Sequence, residues 1–190
     1  MVLAAWRTVP GSGASESLKR PNRIEVAELQ ALIKEARYRD AITRTMNIFG
    51  LNLLGGFSAL FVNAQEPYPD DAITLPDISV VRFTINAFVS VPWLARTIFH
   101  ERVHIQQFLR GDWGRTDSLG DWVNEVEAYD RSARVADVLG LSGAERQTNA
   151  ALRSTYYRRL DASYRLRISG GSYKVKTEDR APGAPTPPTE

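Results

Sequence analysis

Residues 90–110 read SVPWLARTIFHERVHIQQFLR, and the rest of the chain is organised around this stretch. Ser90 followed by Pro92 is a helix start. A serine hydroxyl can accept from an early backbone N–H, and proline suits the first turn, where its missing donor costs nothing. Gly111 is a natural stop, so the pattern predicts one helix from Pro92 to about Arg110. Ile98, Phe99, Val103, Ile105 and Phe108 surround residues 100–104 with apolar groups. This helix is expected to be buried or half-buried, where a bare polar group is costly unless something meets it.

Inside it, residues 100–104 read His-Glu-Arg-Val-His, and these are the only two histidines in the chain. Side chains four apart lie one above the other on a helix. His100 and His104 can therefore face one ion, with Glu101 beside them to hold a water, which is the chemistry of metal-assisted hydrolysis. The chain has no cysteine, so disulfides, thiolate metal sites and thiol nucleophiles are excluded. Catalytic zinc usually takes three protein ligands and keeps one position open. The third ligand must then be Asp or Glu. Gln107 and Arg110 stand where a metzincin would need Gly and His, so that arrangement is excluded.

Downstream, Ser118-x-x-Asp121 is a variant capping box that opens a second helix, expected to run to about Leu139 before Gly140. It carries Asn124-Glu-Val-Glu-Ala-Tyr129. Helical phase separates the two glutamates. Trp122, Glu125, Tyr129, Ala133, Ala136 and Leu139 share one stripe, apolar except for Glu125. Glu127 falls with Asp130, Arg134 and Asp137, and is expected on a solvated face. A carboxylate interrupting an inward face needs a positive partner. For Glu125 that partner is a metal or an arginine of the following helix, and the metal is favoured.

The HERVH motif, followed 21 positions after its second His by the Glu of N-E-x-x-A, resembles the gluzincin metallopeptidases, the thermolysin-like branch of the zincins. More narrowly, W-L-A-x-T-x-x-H-E-x-x-H-x-x-Q and then E-x-E-A-Y are similar to small bacterial metallopeptidase domains of polymorphic toxins and injected effectors. The likeness spans about Trp93 to Ala136. It implies a zincin-like α+β fold, mostly helical, with a small N-terminal sheet and the HExxH helix packed against a Glu-bearing helix. It implies Zn2+ held by His100, His104 and Glu125, with Glu101 as general base, in a zinc metalloendopeptidase that cleaves a protein or peptide. It also brings in a secretion or injection apparatus, or an immunity protein, as partners. One departure stands out: many gluzincins have an Asp four residues after the ligand Glu, and here that residue is Tyr129. Its hydroxyl, or Asp130, is expected to serve the first histidine instead. Tyr156 and Tyr157 are candidate transition-state donors.

The remaining chain fits one domain over residues 24–168, between a flexible arm (1–23) rich in Gly, Ser, Pro and basic groups and a disordered Pro-rich tail (169–190). Ile24–Phe49 reads as one helix, from Val26, Leu29, Ile33 and Ala36. Phe57–Val62, Ala72–Leu75 and Ser79–Ile85 read as short strands, with a turn at Pro67–Asp71. A substrate peptide is expected along an exposed strand edge, at Phe57–Val62 or Ser79–Ile85. A third helix is expected from about Gly143 to Ile168.

Hydrophobic residues make up 43% and charged residues 24% of the 190 residues, which excludes disorder throughout. No apolar stretch is long enough to insert in a membrane. The N-terminal apolar run Met1–Trp6 has no positive residue ahead of it and is a poor secretory signal. Any export from a bacterial cytoplasm is expected by a signal-peptide-independent route. The formal net charge of +2 is too small to argue for nucleic acid. Two other readings remain: a catalytically inactive zincin-like binding module, and a basic nucleic-acid or surface binder. The second would use the arginines of the last helix (146, 153, 158, 159, 165 and 167).

Overall fold

A computed structural model describes residues 18–63, 70–112 and 118–174. The chain is mostly helical, with seven α-helices and one three-stranded sheet among the described residues. It belongs to the α+β class. None of these helices is long and apolar enough to cross a membrane.

The central element is α3, Val91–Leu109. Ser90 caps it as expected, its hydroxyl accepting from the Trp93 N–H at 3.0 Å. The same hydroxyl reaches the Glu145 carboxylate, which ties the start of α3 to the start of a later helix. Leu94, Ala95, Ile98, Phe99, Val103 and Ile105 are all buried, so α3 runs through the core rather than along its surface.

Before it, the expected single helix is two. α1 (Arg23–Lys34) starts at Asn22, which forms a reciprocal capping box with Glu25. α2 spans Tyr38–Phe49. Between them Ala36 takes a left-handed conformation at φ 56°, which turns the chain and ends the periodic run. The turn lets Tyr38 pack against Phe61 and Phe88, with ring centroids 4.5 and 4.6 Å away. Packing also begins earlier than residue 24: Leu18 lies on the core and the Lys19 N–H donates to the Phe49 carbonyl at 3.1 Å.

The sheet is built from β1 (Ser58–Phe61), β2 (Ala72–Leu75) and β3 (Val80–Phe83) in the order β1-β3-β2. β3 is central. It runs parallel to β1, with Ser58 opposite Val80, and antiparallel to β2, with Ala72 opposite Phe83. Val81 and Phe83 face the core, and Arg82 the other side, as their alternation requires. At Gly55 (φ 60°) an added Cβ would meet Leu109 at 3.1 Å, so this turn packs tightly on the end of α3.

After α3 come α4 (Ser118–Arg134) and α5 (Ala136–Leu139), where one helix was expected. Only the first is long enough to cross α3. The expected third helix also divides, into α6 (Gly143–Arg159) and α7 (Ala162–Ser169). Leu160 adopts an extended conformation, and the Asp161 carboxylate accepts from the Tyr164 N–H at 3.0 Å, which caps a new helix. Val123 and Val126 of α4 pack with Leu160, Tyr164 and Ile168 in a second cluster, separate from the main core around α3. Tyr173 joins that cluster, so packing continues past residue 168. The Ser118 side chain, most of the expected 67–71 turn, the arm before residue 18 and the tail after 174 lie outside the described residues.

Candidate metal centre

α3 and α4 cross so that three side chains converge, with ligand atoms within 4.8 Å of one another. His100 Nε2 and His104 Nε2 are 3.0 Å apart. Glu125 Oε2 lies 3.3 Å from His100 Nε2, and Glu125 Oε1 lies 3.3 Å from His104 Nε2. Donors bound to one tetrahedral zinc at roughly 2.0–2.1 Å sit about 3.3 Å from one another. The two ring nitrogens are close to one such edge apart, and each meets a different Glu125 oxygen at that spacing, so the carboxylate faces both rings. Both imidazoles are buried, whereas the Glu125 side chain is 24% exposed, and all three line a cleft of about 360 Å³.

The protons of this trio explain why it suits a cation. Burial, then the nearby Arg96 guanidinium, lowers the His100 pKa to about 3. Burial also disfavours a charged His104, but the Glu125 carboxylate outweighs it and carries that ring up to about 9. Burial would raise Glu125; the two histidines, His104 foremost, hold it well below the usual carboxylate range. One buried positive charge thus already sits between the rings and the carboxylate. A divalent ion would take its place and satisfy all three donors together.

Glu101 also lines the cleft and is 4% exposed. Its Oε2 accepts from the Thr74 hydroxyl of β2 at 2.8 Å. Burial raises its pKa, against the lowering influence of His104 and of the Thr74 bond, which moves it towards the range a general base needs. The strand beside this carboxylate is β2: Ala72, Ile73 and Thr74 line the cleft. Neither strand expected to offer a substrate edge, Phe57–Val62 or Ser79–Ile85, lines the cleft. β3 is paired on both sides, and β1 forms the opposite edge of the sheet.

Behind the rings, the two histidines have different neighbours. His104 Nδ1 meets Gln107 Oε1 at 2.7 Å. Gln107 Nε2 in turn donates to the Asn124 carbonyl at 2.9 Å and to Glu127 Oε2 at 3.0 Å. Glu127 is thus not on a solvated face. It is 5% exposed and held by Arg110 at 2.9 Å. Helical phase misplaced Glu127 because α4 is enclosed on nearly all sides, by α3 on one and by α6 and α7 on the other, while Ala133 of the expected inner stripe is exposed.

His100 Nδ1 faces Arg96 Nη2 at 3.4 Å. Arg96 is buried between the Trp93 and Tyr129 rings, 4.9 and 4.8 Å from their centroids, and its Nε donates to Asn149 Oδ1 at 2.9 Å. Neither residue expected to serve His100 accepts from it. Tyr129 lays its ring against the imidazole, centroids 4.5 Å apart. Asp130 is taken by Arg153 and by the Tyr173 hydroxyl at 3.0 Å.

Of the two candidate tyrosine donors, Tyr156 lines the cleft and stacks on Tyr129 at 5.8 Å. Burial, and then Glu125, pushes its phenol up to about 12, so it keeps its proton. Tyr157 instead sits beneath Arg153 and Arg165. The arginines of the last two helices are largely committed within the fold. Arg146 pairs with Asp137 at 2.7 Å, Arg153 with Asp130, and Arg165 Nη2 donates to the Arg158 carbonyl at 2.7 Å.

Thr74, Arg96 and the buried role of Glu127 were missed in the sequence. Gln107 stood in the quoted motif, three residues after His104, and its helical spacing was the available signal. Nothing local marks Thr74, which meets Glu101 across 27 residues.

Compared with known proteins, the chain matches no family model, no curated protein and no solved structure. The functional reading therefore rests on the residues and their geometry.

Proposed function

We propose that this chain is a zinc-dependent metallopeptidase with a zincin-like, gluzincin-type centre, His100, His104 and Glu125 being the ligands and Glu101 the general base. The observation that carries the reading is a pair of ring nitrogens 3.0 Å apart, each 3.3 Å from one oxygen of the same carboxylate, contributed by two helices and opening into a cleft. Zinc held there would supply Lewis acidity, bringing water towards a pKa of roughly 7 and polarising a substrate carbonyl.

The chain's own groups do the rest. Glu101, steadied by Thr74 at 2.8 Å, takes a proton from the attacking water and returns it to the leaving amine. Tyr156 offers a protonated phenol towards the cleft, suited to the oxyanion that develops as the carbonyl is attacked. The side of β2 left unpaired among the described residues presents backbone groups with which an extended peptide can pair. The likeness to toxin and effector domains supports a bacterial injected or secreted protein as the setting.

Glu101→Gln tests this reading, because it keeps the shape and the Thr74 contact but removes the base. Zinc should remain and peptide cleavage should fall by about 10²–10⁴-fold. Undiminished cleavage removes the mechanism. Zinc binding with no cleavage of a broad peptide library by the native chain would reassign it as a binding module.

A further inference from the structure

We propose that Gln107 is a positioning residue that orients the His104 ring and, through the same amide, fixes the α4 backbone beside Glu125. Its effect on metal affinity rests on the zinc reading above; its effect on the ring does not.

Gln107 is fully buried, and an amide there must match its oxygen to donors and its nitrogen to acceptors. The nitrogen lies 2.9 Å from the Asn124 carbonyl and 3.0 Å from the Glu127 carboxylate, both pure acceptors. Turning the amide over would set its oxygen against both. The orientation is therefore dictated by partners, and Oε1 must face His104 Nδ1 at 2.7 Å. An acceptor at that distance requires the proton of a neutral His104 to sit on Nδ1. Nε2, the atom 3.3 Å from Glu125 Oε1, then keeps its lone pair for an ion.

The second half of the amide acts on the other helix. Asn124 directly precedes Glu125, so the 2.9 Å bond clamps the backbone at the third ligand's shoulder. Glu127 cannot drift, because Arg110 holds both of its oxygens, at 3.2 and 2.9 Å. One side chain thus couples a ligand on α3 to the position of a ligand on α4. This gives Glu127 a reason to be buried that the motif alone does not supply.

Two variants of the full-length chain test the idea. Gln107→Met fills the same space without polarity. The double variant Gln107→Glu with Glu127→Gln restores an acceptor for His104 and reverses the bond between positions 107 and 127, but leaves the Asn124 carbonyl without its donor, so it restores the ring contact and not the α4 clamp. The first readout is nitrogen-15 NMR of the metal-free protein at a pH where His104 is neutral. Native protein should carry the proton on Nδ1, Gln107→Met should shift it towards Nε2, and the double variant should return it to Nδ1. The second readout is zinc affinity, measured with zinc alone against a chromophoric chelator. Gln107→Met should lose about 10–100-fold, and the double variant should recover only the part of that loss that ring orientation carries. A native His104 protonated on Nε2, or a Gln107→Met protein that keeps both the native tautomer and native affinity, overturns the proposal. If the native chain binds no zinc while the tautomers follow the expected pattern, the orienting role stands and the zinc reading falls.

Discussion

Glu125 Oε1 stands 3.3 Å from His104 Nε2, although the two residues belong to different helices. Glu127, two positions further along α4, is turned away towards Arg110 and Gln107. These adjacent carboxylates differ in what they are worth. Glu125→Ala should weaken zinc binding by more than about 100-fold, since it removes a direct ligand. Glu127→Ala should leave affinity within about tenfold of native. It should instead cost about 1–3 kcal/mol of stability, because the Gln107 amide loses an acceptor and Arg110 its main carboxylate. Chelator competition and chemical denaturation measure the two effects, and the opposite ranking would show that the roles are exchanged.

The metal-free protein should be most stable near pH 6.5. His104 is raised in the fold to about 9 from an ordinary 6.5, so its contribution is complete below 6.5 and is lost as pH climbs towards 9. His100 is lowered to about 3, so the unfolded chain takes up a proton that the folded chain refuses as pH falls below 6.5. Denaturation midpoints across pH 4–10 would trace this dome, and a midpoint that rises steadily to pH 9 would contradict the His104–Glu125 pairing.

Zinc uptake should be coupled to proton release. At pH 7 His104 carries a proton that a metal must displace, so apparent affinity should grow about tenfold per pH unit and level off near pH 9. Calorimetry in buffers of different ionisation heat counts the protons released. A pH-independent affinity between 7 and 9 would mean that His104 is already neutral.

Thr74 is expected to act on the base rather than on the metal. Thr74→Val keeps the branched shape in β2 and removes the hydroxyl that donates to Glu101 at 2.8 Å. Turnover should drop by about tenfold with KM and zinc content unchanged, and Thr74→Ser should restore it. A loss confined to KM would place Thr74 in substrate binding instead.

The helix Val91–Leu109 and its cap were legible because Ser90, Pro92 and the apolar spacing all speak locally. The histidine pair followed from spacing on that helix. Glu125 was reached by helical phase, but the same phase assigned Glu127 to solvent. Phase tells which residues share a face, not how many faces a neighbouring element covers, and α4 is covered on nearly all of them. The helix breaks were missed for a different reason. Ala36 in a left-handed turn has no sequence marker, whereas Asp161 ahead of Ala162 and Tyr164 was a readable cap hidden inside a periodic run. Thr74 lies near Glu101 only because β2 packs against α3, which no short motif encodes, whereas Arg96 sits one helical turn before His100, a spacing that was readable.

The most direct test of the centre is the metal content of the purified full-length chain, measured by elemental analysis beside His104→Ala and Glu125→Ala. One zinc per native chain, with little or none retained by either variant, is the predicted result. A native chain that holds no divalent metal when zinc is supplied, or a Glu125→Ala chain that holds it as tightly as native, would contradict it.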